Sequence, residues 1–217
     1  MAFDLDGTIL NSADDLIFSL NVLLSELGQK NVSANQVNML VGNGALAMIK
    51  KAFEINNVKS NDIDYEKLKQ RFLDIYKTCY VKKSKLYPFT YETLEFLKEK
   101  EIKMILVSNK PEYFVKKILD HFNISKYFAS ISGGDTFSFR KPNAKHLTET
   151  IANAGIDKYN CIFIGDSIND ALCAKRSRSK LILLKHGYSD KNINNMNADI
   201  ILEDLKKIPQ IISNLKF

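Results

Sequence analysis

Apolar positions along the chain follow two rhythms, and the boundary between them divides the sequence. Residues 1–4 read as a short strand. Over 14–27 the spacing is helical: Leu16, Leu20, Leu23, Leu24 and Leu27 share one face, and Gly28 suits the C-terminal cap. Ser33 and Gln36 stand at capping-box spacing and start a second helix, which Gly42-Asn43-Gly44 breaks. Helical spacing resumes over 45–55 and again over 62–80. In the latter, Tyr65, Leu68, Phe72, Ile75, Tyr76 and Cys79 recur every three or four positions, a stripe that reads as internal packing. Residues 12–87 therefore read as all-helical, with no strand candidate of any strength.

After Tyr87-Pro88 short apolar runs alternate with helical segments. Strands are predicted at 103–108, 128–132, 161–165 and 181–184, with 199–202 as an edge candidate. Helices are predicted at 90–100, from Pro111 to 121, at 143–154, from Ile168 onward and at 204–215. Strands that are apolar on both faces and alternate with helices indicate a parallel sheet covered on both sides. The first strand must join it, since so short a strand cannot stand alone. The expected fold is α/β: a Rossmann-like parallel core, residues 1–11 and 88–217, with an inserted all-helical cap domain, residues 12–87. The two connections, near Asn11-Ser12 and at 85–88, would cross side by side as a hinge.

The chain's 217 residues suffice for such a core and insertion. No apolar run approaches the roughly 20 residues that cross a membrane. The N-terminus runs into acidic residues instead of a signal-peptide pattern. Three cysteines outside any CxxC pattern read as reduced thiols, so a cytoplasmic protein is expected, as a monomer or homodimer. The net charge of +6 is spread evenly: residues 12–87 carry 11 Lys/Arg against 8 Asp/Glu, and the rest 20 against 17. That reads as a lysine-rich solvated surface and not as a nucleic-acid footprint, while favouring an anionic small substrate.

The chemistry gathers after the strands, where ligands bind in an open parallel sheet. Asp4 and Asp6 follow the first; their parity matches, so they leave the strand together. Ser108, Asn109 and Lys110 follow the second, Gly133-Gly134-Asp135-Thr136 and then Arg140-Lys141-Pro142 the third, and Gly165-Asp166-Ser167 with Asp170 the fourth. With four aspartates ionised against Lys141 alone, the cluster would carry a net charge of about −3, which calls for a cation. Carboxylate ligands suit Mg²⁺, and the absence of a His or Cys pattern argues against zinc. Ser108 and the backbone N–H groups around Asn109 open a helix and suit a phosphate, with Lys141 as counter-charge. Asp4 could attack phosphorus, and Asp6 could protonate the leaving oxygen and then deprotonate water.

In their order and spacing, Asp4-Leu5-Asp6-Gly7-Thr8, Ser108-Asn109, Lys141-Pro142 and Gly165-Asp166-Ser167-Ile168-Asn169-Asp170 resemble the four motifs of the haloacid dehalogenase superfamily. Within it, Asn109-Lys110-Pro111, Gly133-Gly134-Asp135-Thr136-Phe137, Arg140-Lys141-Pro142, Val41-Gly42-Asn43-Gly44-Ala45, Gly187-Tyr188 and Ala198-Asp199 are similar to phosphoglycolate phosphatases. The resemblance implies a phosphatase acting on a small phosphorylated metabolite through an aspartyl-phosphate on Asp4. It implies Mg²⁺ at Asp4, the Asp6 carbonyl and Asp166, supported by Asp170, and a mobile helical cap that selects the substrate. The expected substrate-binding set is Thr8, Ser108, Asn109 and the loop Gly42-Asn43-Gly44, which as a plain inter-helix turn would have no such role. Lys110 reads as a surface residue, and His121, His146 and His186 as residues without partners or a role. A phosphomutase or pyrophosphatase of the same superfamily is the neighbouring alternative, and a non-catalytic phospho-ligand-binding module the alternative from another class.

Two positions depart from the superfamily pattern. Only Met1-Ala2-Phe3 precede the first aspartate, so either the native chain begins upstream or the central strand is short. The run Lys175-Arg176-Ser177-Arg178-Ser179-Lys180 stands where a glycine usually turns helix into strand.

Overall fold

The computed structural model describes residues 1–58, 63–156, 161–189 and 192–214. Six parallel strands form one sheet: β1 (Ala2–Phe3), β4 (Met104–Val107), β5 (Phe128–Ser132), β6 (Ile162–Gly165), β7 (Lys180–Leu184) and β8 (Ile200–Leu202), in the order β5-β4-β1-β6-β7-β8. The two-residue β1 lies at the centre. Ala2 and Phe3 pair with Ile105 and Leu106 of β4 on one side and with Phe163 and Ile164 of β6 on the other. The expected α/β parallel core is therefore present, and each predicted strand of the core forms.

Alternation along the strands explains why both faces are covered. Phe3, Leu106 and Ile164 pack toward α5 (Thr90–Glu99), α6 (Glu112–His121) and α9 (Ile208–Asn214). Ala2, Ile105 and Phe163 belong to the opposite core, filled by Leu147 and Ile151 of α7 (Ala144–Asn153) and Ala171, Cys173 and Ala174 of α8 (Ile168–Ser177). At the end of α8, Arg178 takes the left-handed conformation, φ 60°, where the superfamily pattern has its glycine.

Between β1 and β4 the chain forms β2 (Leu10–Asn11), four helices and β3 (Lys85–Leu86). The helices are α1 (Ala13–Glu26), α2 (Val37–Leu40), α3 (Ala45–Ile55) and α4 (Tyr65–Tyr76). Ser33 and Gln36 do pair, but they open a single 3-10 turn before the short α2. The start expected for α4 at Asp62 lies outside the described residues; Asp64 caps the helix by accepting from the backbone of Lys67. The span expected to be wholly helical also contains β3, which pairs antiparallel with β2 through Asn11 and Lys85. Too short to show an alternating pattern, this ribbon is invisible to periodicity. Its base is tied by Asp15, whose buried carboxylate accepts from the backbone N–H groups of Lys83 and Ser84 and from the Ser84 hydroxyl. The insertion thus leaves and re-enters the core through one narrow, cross-linked neck.

Candidate active site

The carboxyl ends of β1, β4 and β6 converge on one crevice. The Asp4 N–H donates to the Ile164 carbonyl at 2.9 Å, so β6 fixes the first aspartate at the strand end. Gly7 then turns the chain with φ +86°; a Cβ there would stand 2.3 Å from Asp166 Oδ2, so a side chain is excluded on both counts. Asp166 follows β6 and accepts from Thr8 Oγ1 at 3.0 Å and from the Tyr188 N–H at 2.8 Å. Asp170 lies in the first turn of α8. Its Oδ2 accepts from the Ser167 N–H and hydroxyl, which closes that helix's capping box.

Lys141 threads between the aspartates. Its Nζ lies 2.7 Å from Asp4 Oδ1 and 2.7 Å from Asp170 Oδ1, and the residue is 3% exposed. Burial opposes its charge, but the two carboxylates outweigh burial and hold the ammonium above its usual range. The carboxylate oxygens of Asp4, Asp166 and Asp170 can all approach within 4.8 Å of one another. Burial above all raises Asp4, to about 7, with Asp170 and Asp6 adding to it against the pull of Lys141. Asp166 is raised well above the usual carboxylate range by burial and by the charges of Asp170 and Asp4.

Lys110 is not the surface residue that its sequence context suggests. It is 6% exposed, and its Nζ lies 2.9 Å from both oxygens of Asp6 and 4.8 Å from the centre of the Tyr76 ring. Burial pushes its charge down, and the adjacent Asp6 more than offsets this. The side chain turns inward because Asp6 and an aromatic face await it there. With Lys110 included, four carboxylates face two ammoniums, and the deficit falls to that of one divalent cation. Ser12 also donates to Asp6 Oδ1. The expectation that the histidines lack partners fails as well. His146 Nδ1 accepts from the Lys141 N–H, and burial, then Lys141, lowers its pKa to about 4. His186 stacks on Tyr87 at 3.9 Å and meets the Thr8 carbonyl at 3.1 Å.

The other expected site residues divide. Ser108, Asn109, Gly42 and Gly44 line a cavity shared by the core and the insertion, together with Asp4, Asp6 and Lys110. The space open to water-sized molecules is about 50 Å³, room for a few waters or a ligand of that size. Thr8 does not reach this cavity: the turn at Gly7 sends it behind Asp166, fully buried. Asn43 is exposed and accepts from Asn169 Nδ2 at 2.7 Å. The Gly42 carbonyl accepts from Asn169 Nδ2 at 3.1 Å and Asn109 Nδ2 at 3.4 Å, so this loop is an inter-helix turn that also seats the insertion on the core. The aromatic stripe of α4 is only partly internal packing. Phe72 and Tyr76 form the cavity's roof, and Tyr76 meets Phe114 of the core at 4.9 Å.

Known proteins share the sequence and fold of this chain. The family model of the haloacid dehalogenase-like hydrolases matches residues 1–184. The chain belongs to that family. A phosphoglycolate phosphatase of Agrobacterium fabrum is 37% identical over 202 residues, covering 93% of this chain and 87% of the relative. One from Vibrio parahaemolyticus is 35% identical, covering 98% of this chain and 95% of its own. The crystal structure of a Haemophilus somnus protein described as a predicted phosphoglycolate phosphatase superposes with a TM-score of 0.90 at 30% identity, covering 97% of this chain and 96% of that one. As a member of this hydrolase family, the chain is an enzyme whose reaction centre is sought where the four motifs meet.

Sequence reasoning missed Ser12, Asn169 and Tyr188. Tyr188 accepts from the backbone N–H groups of Ser12 and Ala13 and so holds the neck against the core. Only Asn169 and Tyr188 lay inside recognised motifs, and nothing in their spacing marked them as joints.

Proposed function

We propose that the chain is a Mg²⁺-dependent phosphatase of small phosphorylated metabolites, with phosphoglycolate the leading candidate. The observation that carries this reading is the Lys141 bridge between Asp4 and Asp170 beside an Asp166 that has no ammonium of its own among the described residues. Two buried carboxylates whose charged forms are disfavoured, with hard oxygen donors only, fit a divalent cation of the Mg²⁺ type. Asp4, Asp166 and the Asp6 carbonyl would hold it, and when bound it supplies charge neutralisation to the phosphoryl oxygens.

The chain's own residues supply the rest. Asp4 attacks phosphorus and carries the phosphoryl group as an aspartyl-phosphate. Asp6, steadied by Lys110 and Ser12, gives a proton to the leaving oxygen and later takes one from water. Ser108, the backbone around Asn109 and Lys141 bind the transferring group. Asp170 orients Lys141, since its second oxygen is already committed to Ser167. Residues 12–87 serve as a cap that pivots on the neck at Asn11 and Lys85 and excludes water when closed over residues 1–11 and 88–217. Three buried, unpaired cysteines suit work in the cytoplasm.

Phosphate release from a panel of phosphomonoesters, with Mg²⁺ and with chelator, tests the proposal. Turnover with Mg²⁺ and its loss in Asp4→Asn are expected. Undiminished turnover by Asp4→Asn would remove Asp4 as nucleophile.

A further inference from the structure

The cavity beneath the cap holds polar groups that the phosphoryl chemistry does not use. Lys110 is the one cation among the described residues that line it. An ammonium has three N–H donors, and the two Asp6 oxygens account for two. Tyr76 lines the same cavity, is 1% exposed, and its hydroxyl proton finds no acceptor among the described residues. A buried polar group in that state is costly, and so points to a ligand that completes it. Around these two donors the wall is apolar: Leu40, Val41, Met48 and Phe72.

Asp4, Asp6, Ser108 and Asn109, which also line the cavity, serve the reaction; an ammonium beside a hydroxyl that lacks an acceptor suits an anion. In the phosphatase reading the phosphoryl group is not that anion, because Asp4, Ser108 and Lys141 receive it. Lys110 touches Asp6, the residue that meets the ester oxygen, so the second anion lies a bond or two beyond that oxygen. We propose that Lys110 Nζ and Tyr76 Oη form a subsite for a carboxylate carried one carbon from the ester oxygen of the substrate. The subsite is divided between the core, which gives Lys110, and cap helix α4, which gives Tyr76; it is complete only with the cap closed. This inference rests on the phosphatase reading and deepens it by naming which residues recognise the leaving group.

The test is the ratio of kcat/KM for 2-phosphoglycolate to that for ethyl phosphate, which has the same carbon count and no carboxylate. A ratio within one preparation does not depend on the fraction of folded enzyme. The wild type is expected to favour the carboxylate ester. Lys110→Met should lower the ratio about 10- to 100-fold, the worth of a hydrogen bond to a charged group. Tyr76→Phe, which removes one oxygen, should lower it roughly three- to tenfold, the worth of a single hydrogen bond. It decides the matter if Lys110→Met does not fold. Equal losses on both esters in Lys110→Met would overturn the proposal and leave Lys110 as a partner of Asp6 alone. So would an unchanged ratio in Tyr76→Phe, or a wild type that hydrolyses both esters equally well. Absence of turnover on any phosphomonoester would overturn the phosphatase reading itself, and the subsite with it.

Discussion

Replacing Lys141 with methionine keeps most of the length of the side chain and removes its charge. In the wild type that charge lies 2.7 Å from carboxylates on both sides and is shielded from solvent. Breaking a buried pair by removing one partner costs about 3–5 kcal/mol. The loss should depend on pH, because Asp4 can escape by taking a proton. Burial already raises Asp4 to about 7, against a usual carboxylate value near 4, and loss of the ammonium raises it further. A folded-state pKa above the unfolded one gives stability that is present at low pH and declines as pH rises through the folded value. In the variant that decline continues to higher pH than in the wild type. The gap between the two proteins should therefore widen by up to about 1.4 kcal/mol per pH unit above pH 7. Urea melts of both proteins in chelator at pH 5, 7 and 8.5 measure it. For a chain of this size each kcal/mol also corresponds to roughly 2–4 °C in thermal midpoint. A gap that is the same at pH 5 and pH 8.5 would refute the electrostatic account of the bridge.

Other outcomes follow from single contacts. Arg178→Gly should stabilise the protein by about 0.5–1 kcal/mol, because relief of left-handed strain at φ 60° exceeds the added flexibility of the unfolded chain; thermal unfolding with a lower midpoint would contradict this. Asn169→Ala removes the amide shared by the Gly42 carbonyl and Asn43. Faster hydrogen exchange around residues 42–45 and a raised KM are expected, while unchanged exchange would show that this loop is held by other contacts. Mg²⁺ should raise the thermal midpoint more at pH 8 than at pH 5, since Asp4 and Asp166 must lose protons to bind it. An equal rise at both values would count against these ligands.

The parallel sheet was legible because its strands are buried on both faces and give continuous apolar runs such as Met104–Val107. The helices at 45–55 and 143–154 were equally clear, with Gly44 and Asn143 marking their starts. What escaped was set by distance in space. Lys110 looks like any lysine until Asp6 and Tyr76, from distant parts of the chain, close around it. Thr8 follows the acidic motif directly, yet the backbone turn at Gly7 directs it to Asp166 and away from the cavity. The strands of the neck are two residues long, below the length at which alternation can be seen.

The shortness of β1 bears on how the enzyme comes into being. Ala2 and Phe3 leave the ribosome well before the neighbours that hold them, which arise about 100 and 160 residues later. Until β6 is in place, Asp4 has no carbonyl to receive its N–H, and the helices of residues 12–87 have no finished floor to rest on. The segment that carries Asp4 must therefore wait without its pairing partners while the residues up to β6 are made. A nascent chain halted before residue 162 would lack both the carbonyl that fixes Asp4 and the Asp166 that faces it.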